Sequence, residues 1–115
     1  MVETIPMLAP LLGSQDLEKA LMYLLCLDEG YPRQMARFSG STLSALQKQL
    51  DRLESAGVVY SQLLGRTRLY RFNPRYPFLK ELKALLEKAL TFYPEAERRA
   101  LLMSRQRPRR AGKPL

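Results

Sequence analysis

The 115-residue chain contains no histidine and a single cysteine, Cys26. The first absence removes the usual general base, the usual switch near neutral pH and the commonest metal ligand together. The second excludes an internal disulfide and argues against a cysteine-based metal site. Cys26 continues the apolar run MYLLCL and reads as a buried small hydrophobe. No stretch approaches the ~20 consecutive apolar residues of a membrane span. The N-terminal MVETIPMLAPLLG lacks the basic start of a signal peptide and carries Glu3, which predicts a cytoplasmic protein. With no recognisable catalytic cluster, the chain is expected to be no enzyme and to need no cofactor.

Acid is also missing, but only in places. Residues 58–75 hold Arg66, Arg68, Arg71 and Arg75 without a carboxylate, and residues 104–115 hold Arg105, Arg107, Arg109, Arg110 and Lys113 without one. Residues 1–57 carry 5 basic against 7 acidic groups, and residues 76–103 carry 5 against 4. The formal net charge of +8 therefore sits almost wholly in two segments. Positive charge focused in this way suits a polyanionic partner. A solvated surface that keeps the protein soluble is the plainer alternative.

Hydrophobic residues make up 46% of the chain, enough for one core. Residues 1–13 form an apolar arm that Pro6 and Pro10 keep from being a long helix. Ser14 then offers an N-cap to a helix over 15–28, with Leu17, Ala20, Leu21, Leu24 and Leu25 at helical spacing. Pro32 opens a short helix over 32–38, with Met35 and Ala36 inward and Arg33 and Arg37 outward. After the break at Ser39-Gly40, a helix over 41–56 carries Leu43, Leu46, Leu50 and Leu53 as one stripe, and Gly57 ends it. A hairpin follows over 58–72, turning at Gly65-Arg66. Alternation sets Tyr70 and Phe72 inward and Leu69 and Arg71 on the other face; Arg66 and Arg68 share the inward parity but lie past the edge of the core. Helices over 77–91, opened by Pro77, and over 95–104 come next. The tail 105–115 is too rich in Pro, Gly and charge to pack and is expected to be disordered.

At 100° per residue, Ser41, Ser44, Ala45, Lys48 and Arg52 fall opposite the leucine stripe of the 41–56 helix, with Thr42 and Gln49 on one flank. No acid stands between Gly30 and Leu50. Small hydroxyl residues at the N-terminal end let a helix come close to base edges. Lys48 and Arg52 reach bases or phosphates, and Gln49 and Gln47 carry amides suited to adenine, Gln47 lying nearer the core side. An ordinary solvated helix face accounts for these residues equally well.

The pieces PRQMARF, SG and STLSALQKQLDRLESAG form a helix-turn-helix arrangement, and the hairpin after them takes the place of a wing. With the run LxxLxxxGVV…GRTRLYRFNP from Leu50 to Pro74, residues 15–75 resemble a bacterial winged helix-turn-helix domain, most similar to ArsR-type regulators. The resemblance implies a mainly α fold with a small β-hairpin, its DNA-binding domain spanning 14–75. It further implies sequence-specific binding of double-stranded DNA by a homodimeric transcriptional regulator, expected to be a repressor. Major-groove contacts fall to Ser41, Thr42, Ser44, Ala45, Lys48, Gln49 and Arg52, and wing contacts to Arg66, Thr67 and Arg68. Arg71 and Arg75 are less clearly DNA contacts, since either could pair with an acid of the 77–91 helix. In such proteins the first and last helices pair the two copies. Here that role goes to the arm 1–13 and the helices of 76–104, with Leu8, Leu11, Leu12, Leu82 and Leu86 as contacts. Metal-sensing members use cysteines near the recognition helix or histidine and carboxylate clusters on the last helix; this chain has neither, so no metal is expected. Two other readings stay open: a winged-helix protein-interaction module, and an RNA-binding protein that uses its basic tail.

Overall fold

The computed structural model describes residues 7–101. In order come α1 (Ala9–Leu12), α2 (Gln15–Leu27), α3 (Pro32–Ser39), α4 (Leu43–Ser55), β1 (Val59–Leu64), β2 (Thr67–Phe72) and α5 (Leu79–Leu90). Residues 95–101 are helical as well. The described residues are thus mainly helical, with one antiparallel two-stranded sheet among them. Residues 1–6 of the apolar arm, residues 102–104 of the last expected helix and the tail 105–115 lie outside the described residues.

Helix α2 is the axis of the core. Ser14 caps it, the hydroxyl accepting the Leu17 amide proton at 3.1 Å, and Asp28 ends it in the left-handed region at φ 72°. Leu21, Met22 and Leu24 are buried on it against Met35 of α3, Leu46 and Leu50 of α4, and Leu86 of α5. Each aliphatic side chain taken out of water contributes about 1.5–3 kcal/mol. The expected start of the third long helix shifts from Ser41 to Leu43, because Thr42 is the residue whose side chain accepts the Ala45 amide proton, at 3.1 Å. Leu43, expected in the apolar stripe, is exposed: that stripe reaches the core only from Leu46 onward. Similarly, Pro77 and Phe78 form a turn, and α5 begins two residues after the expected position.

The hairpin pairs Val59 with Phe72, Ser61 with Tyr70 and Leu63 with Arg68. Tyr70 and Phe72 are buried as their parity predicts, and Gly65 takes the turn at φ 64°. Leu69 is buried too, although alternation sets it on the outer face. Its cross-strand partner there is Gln62, and the Arg71 Nη1 donates to the Gln62 side chain at 3.1 Å, closing over the same face. A second contact was not legible in the strand pattern. Gly30, between α2 and α3, exchanges backbone hydrogen bonds of 3.0 and 2.9 Å with Tyr70. A Cβ at Gly30 would stand 2.8 Å from Cε1 of Tyr23 and 2.9 Å from Sδ of Met35, so glycine is required by close approach.

A polar knot lies inside this shell. The side chain of Glu18 is fully buried. One carboxyl oxygen accepts the Leu8 amide proton at 3.0 Å, and the other accepts the Tyr93 hydroxyl at 2.7 Å. Next to it the buried Lys19 pairs with Glu97 at 3.0 Å and stands 5.4 and 5.6 Å from the ring centroids of Phe38 and Tyr93. Burial, and then the hydrogen bond to Glu18, push the Tyr93 phenol well above its ordinary 10.0. The folded chain therefore holds this proton more tightly than the unfolded chain. The stability it confers is intact below pH 10 and is lost as pH rises further. Burial raises Tyr23 and Tyr70 in the same direction. Thermal unfolding followed by circular dichroism should show a melting temperature that declines above pH 10, and Tyr93→Phe should flatten that decline. An unchanged slope in the variant would mean that Tyr93 does not carry it.

Candidate nucleic-acid interface

The outer face of α4 is set by the period of its core leucines. With Leu46, Leu50 and Leu53 buried, Ser44, Lys48 and Arg52 stand exposed on the opposite side and Ala45 is partly exposed. The polar residues before the helix are more constrained. Ser39 Oγ donates to the Ala36 carbonyl at 3.3 Å and lies 2.5 Å from Ser41 Oγ. With the Ser39 proton used in this way, the Ser41 hydroxyl donates to Ser39 and keeps only acceptor capacity. Thr42 is the converse: its oxygen accepts the capping bond from Ala45, and its hydroxyl proton stays available at an exposed position.

The two glutamines divide differently. Gln47 Nε2 donates to the Tyr70 hydroxyl at 3.0 Å and to Asp51 at 3.3 Å, tying α4 to β2. Its amide is committed inside the protein. Gln49 is half-buried, and its Oε1 is buried with no hydrogen-bond partner among the described residues. It sits less openly on this face than Lys48 and Arg52.

On the hairpin, Arg66, Thr67 and Arg68 are exposed around the tip. Thr67 Oγ1 donates to the Leu64 carbonyl at 3.3 Å. Arg68 Nη1 donates to Ser61 Oγ at 3.1 Å, and that hydroxyl donates to Glu54 of α4 at 2.9 Å. A relay of three side chains thus joins the hairpin's inner face to α4. Arg71 is engaged elsewhere: its Nε and Nη2 donate to Glu29 at 3.1 and 2.6 Å. The hydrogen bonds to Glu29 raise the affinity of Arg71 for its proton. Its acid partner is therefore in the loop between α2 and α3, and not on the 77–91 helix.

The residues expected to pair two copies are spread over different environments. Leu8 and Leu86 are buried in the chain's own core, and Leu12 and Leu82 are partly buried against it. Leu11 is 71% exposed. Among the described residues, no group of three or more His, Cys, Asp or Glu side chains could hold a metal ion, and no helix is long and apolar enough to cross a membrane. Comparison with known proteins gives no matching family model, no matching curated protein and no matching solved structure.

Gln47 and Lys48 are neighbours with opposite tasks, and their substitution should separate them. Gln47→Ala should lower the unfolding free energy by roughly 1 kcal/mol, the cost of removing a part-buried hydrogen bond. Lys48→Ala, at an exposed position, should change it by less than about 0.5 kcal/mol. Urea denaturation of both variants checks this, and equal losses would contradict the assignment.

Proposed function

We propose that this chain is a winged helix-turn-helix protein of the ArsR-like type, a cytoplasmic homodimer that binds double-stranded DNA sequence-specifically and represses transcription. The observation that carries this reading is that the outer face of α4 and the hairpin after it both expose basic side chains. The outer face of α4 offers Thr42, Ser44, Lys48 and Arg52, and the hairpin tip offers Arg66 and Arg68. The Arg68–Ser61–Glu54 relay ties the hairpin to α4. On this reading α4 enters the major groove and the hairpin reaches the adjacent backbone or minor groove, where arginine is well suited. Repression would follow from occupying a promoter. Neither large apolar residues nor an acidic majority marks the α4 face, as a protein-docking surface would favour; its one exposed acid, Asp51, lies beside Lys48 and Arg52, and exposed Leu43 stands at its N-terminal end.

Support for pairing comes from the outer side of α5. Leu85 on α5 is 37% exposed, and Phe78 and Phe92, in the turns just before and just after the helix, are 62% and 60% exposed, which leaves apolar surface along and at both ends of α5. Exposed Glu81 and Lys88 flank Leu85. Antiparallel pairing of two copies about Leu85 sets the Phe78 end of one helix against the Phe92 end of the other and brings Glu81 near Lys88. Such a dimer would present two α4 helices to a palindrome whose half-sites lie about one DNA turn, ~34 Å, apart.

The experiment is selection of bound sequences from random duplex DNA, followed by titration of the winner. A palindromic motif, with affinity falling steeply as salt rises through counterion release, is the expected result. Lys48→Ala and Arg52→Ala should relax sequence preference, at roughly 1–3 kcal/mol per lost base contact, whereas Arg66→Ala and Arg68→Ala should weaken all sequences alike. A salt-independent or sequence-indifferent interaction would sink the proposal. Light scattering should give about twice the 13.3 kDa of one chain, returning to one chain in Leu85→Glu/Phe92→Glu. Leu86, a core residue, would report on folding instead.

A further inference from the structure

The structure holds a cavity of about 390 Å³ between the end of α2, the end of α5 and the helical residues 95–101, lined by Cys26, Leu90, Thr91, Glu95, Arg98 and Arg99. That volume lies within the roughly 300–1,000 Å³ of small-ligand sites. None of its lining residues belongs to α4 or the hairpin.

The charges around the cavity do not cancel. Glu95 accepts from Arg99 Nη2 at 2.6 Å, which offsets one of the two arginine charges. Thr91 Oγ1 donates its proton to the Lys88 carbonyl at 2.7 Å and presents no further donor. Cys26 and Leu90 supply apolar wall. Arg98 makes no ion pair with a described residue, and its Nε is a buried N–H donor with no hydrogen-bond partner among the described residues. That Nε is closed to the cavity as it is to water, so a ligand would meet the guanidinium at its outer nitrogens, which no described acid neutralises.

We propose that this cavity binds a small organic acid, its carboxylate on the Arg98 guanidinium and a compact apolar body against Cys26 and Leu90. The planar fork of arginine matches a carboxylate in shape and charge, which a neutral or cationic ligand does not. The site involves no DNA contact, so it stands or falls separately from the proposed DNA binding.

The test uses sodium octanoate, below the concentration at which it forms micelles, and 1-octanol as the probe without charge. Isothermal titration of the full chain should show saturable octanoate binding. Octanol, or octanoate with Arg98→Gln, should bind at least about tenfold more weakly, as expected for loss of a charge-assisted hydrogen bond. Cys26 is the chain's one cysteine and is buried, so its alkylation by iodoacetamide, read by mass spectrometry, reports on opening of this wall. Octanoate should slow that alkylation in the native chain and not in Arg98→Gln. No saturable binding, equal affinity for acid and alcohol, unaltered binding by Arg98→Gln, or unprotected Cys26 despite binding would each overturn the proposal.

Discussion

The buried carboxyl group of Glu18 is the constraint on which the rest of the architecture depends. Taking such a group out of water is costly unless its oxygens find donors. Here the donors come from opposite ends of the described chain, the amide of Leu8 just before α1 and the hydroxyl of Tyr93 just after α5. Neither end can leave without stranding an oxygen in the core. The arrangement couples docking of α1 to docking of the segment after α5, beside the apolar burial of Leu8, Tyr93 and Leu101. Lys19, one residue along α2, repeats the device with Glu97 and two aromatic rings.

This knot was not legible in the sequence, for a physical reason. An acid in the first turn of a helix is explained sufficiently by the helix dipole, and Glu18 occupies that position. Its partner Tyr93 lies 75 residues away. Local elements, by contrast, were written plainly. Ser14 as a cap, the glycine break at Gly40, the Leu46–Leu50–Leu53 stripe and the inward parity of Tyr70 and Phe72 each follow from spacing or from one residue's conformational preference, and each is present. Boundary errors fell where Thr42 competes with Ser41 for the cap and Leu43 overhangs the core, and within β2 alternation missed the burial of Leu69 under the Arg71–Gln62 bond.

The same division holds on the candidate DNA face. Period alone identifies Ser44, Lys48 and Arg52 as outward residues, because helical geometry leaves them nowhere else to go. It does not reveal which polar groups are already engaged. Gln47 with Tyr70, Arg71 with Glu29 and Ser41 with Ser39 are decided by tertiary proximity or by the tight turn. Nor does an amphipathic helix of this size announce which of its leucines serve the chain itself. Leu86 does, while Leu85 remains on the outside.

The relay from Arg68 through Ser61 to Glu54 bears on how the hairpin would meet a phosphate. An arginine at a hairpin tip ordinarily surrenders much rotamer freedom on binding, about 0.5–1.5 kcal/mol for an immobilised long side chain. Arg68 has already given up part of it, since one nitrogen is held by a hydroxyl that is itself held by α4. Its other nitrogens keep the planar fork free to engage an anion. Arg66, in the turn itself, has no such brace among the described residues. Two arginines two residues apart would therefore contribute unequally: Arg68 as a preorganised anchor that fixes register, and Arg66 as a searching contact that adapts to whatever backbone it finds.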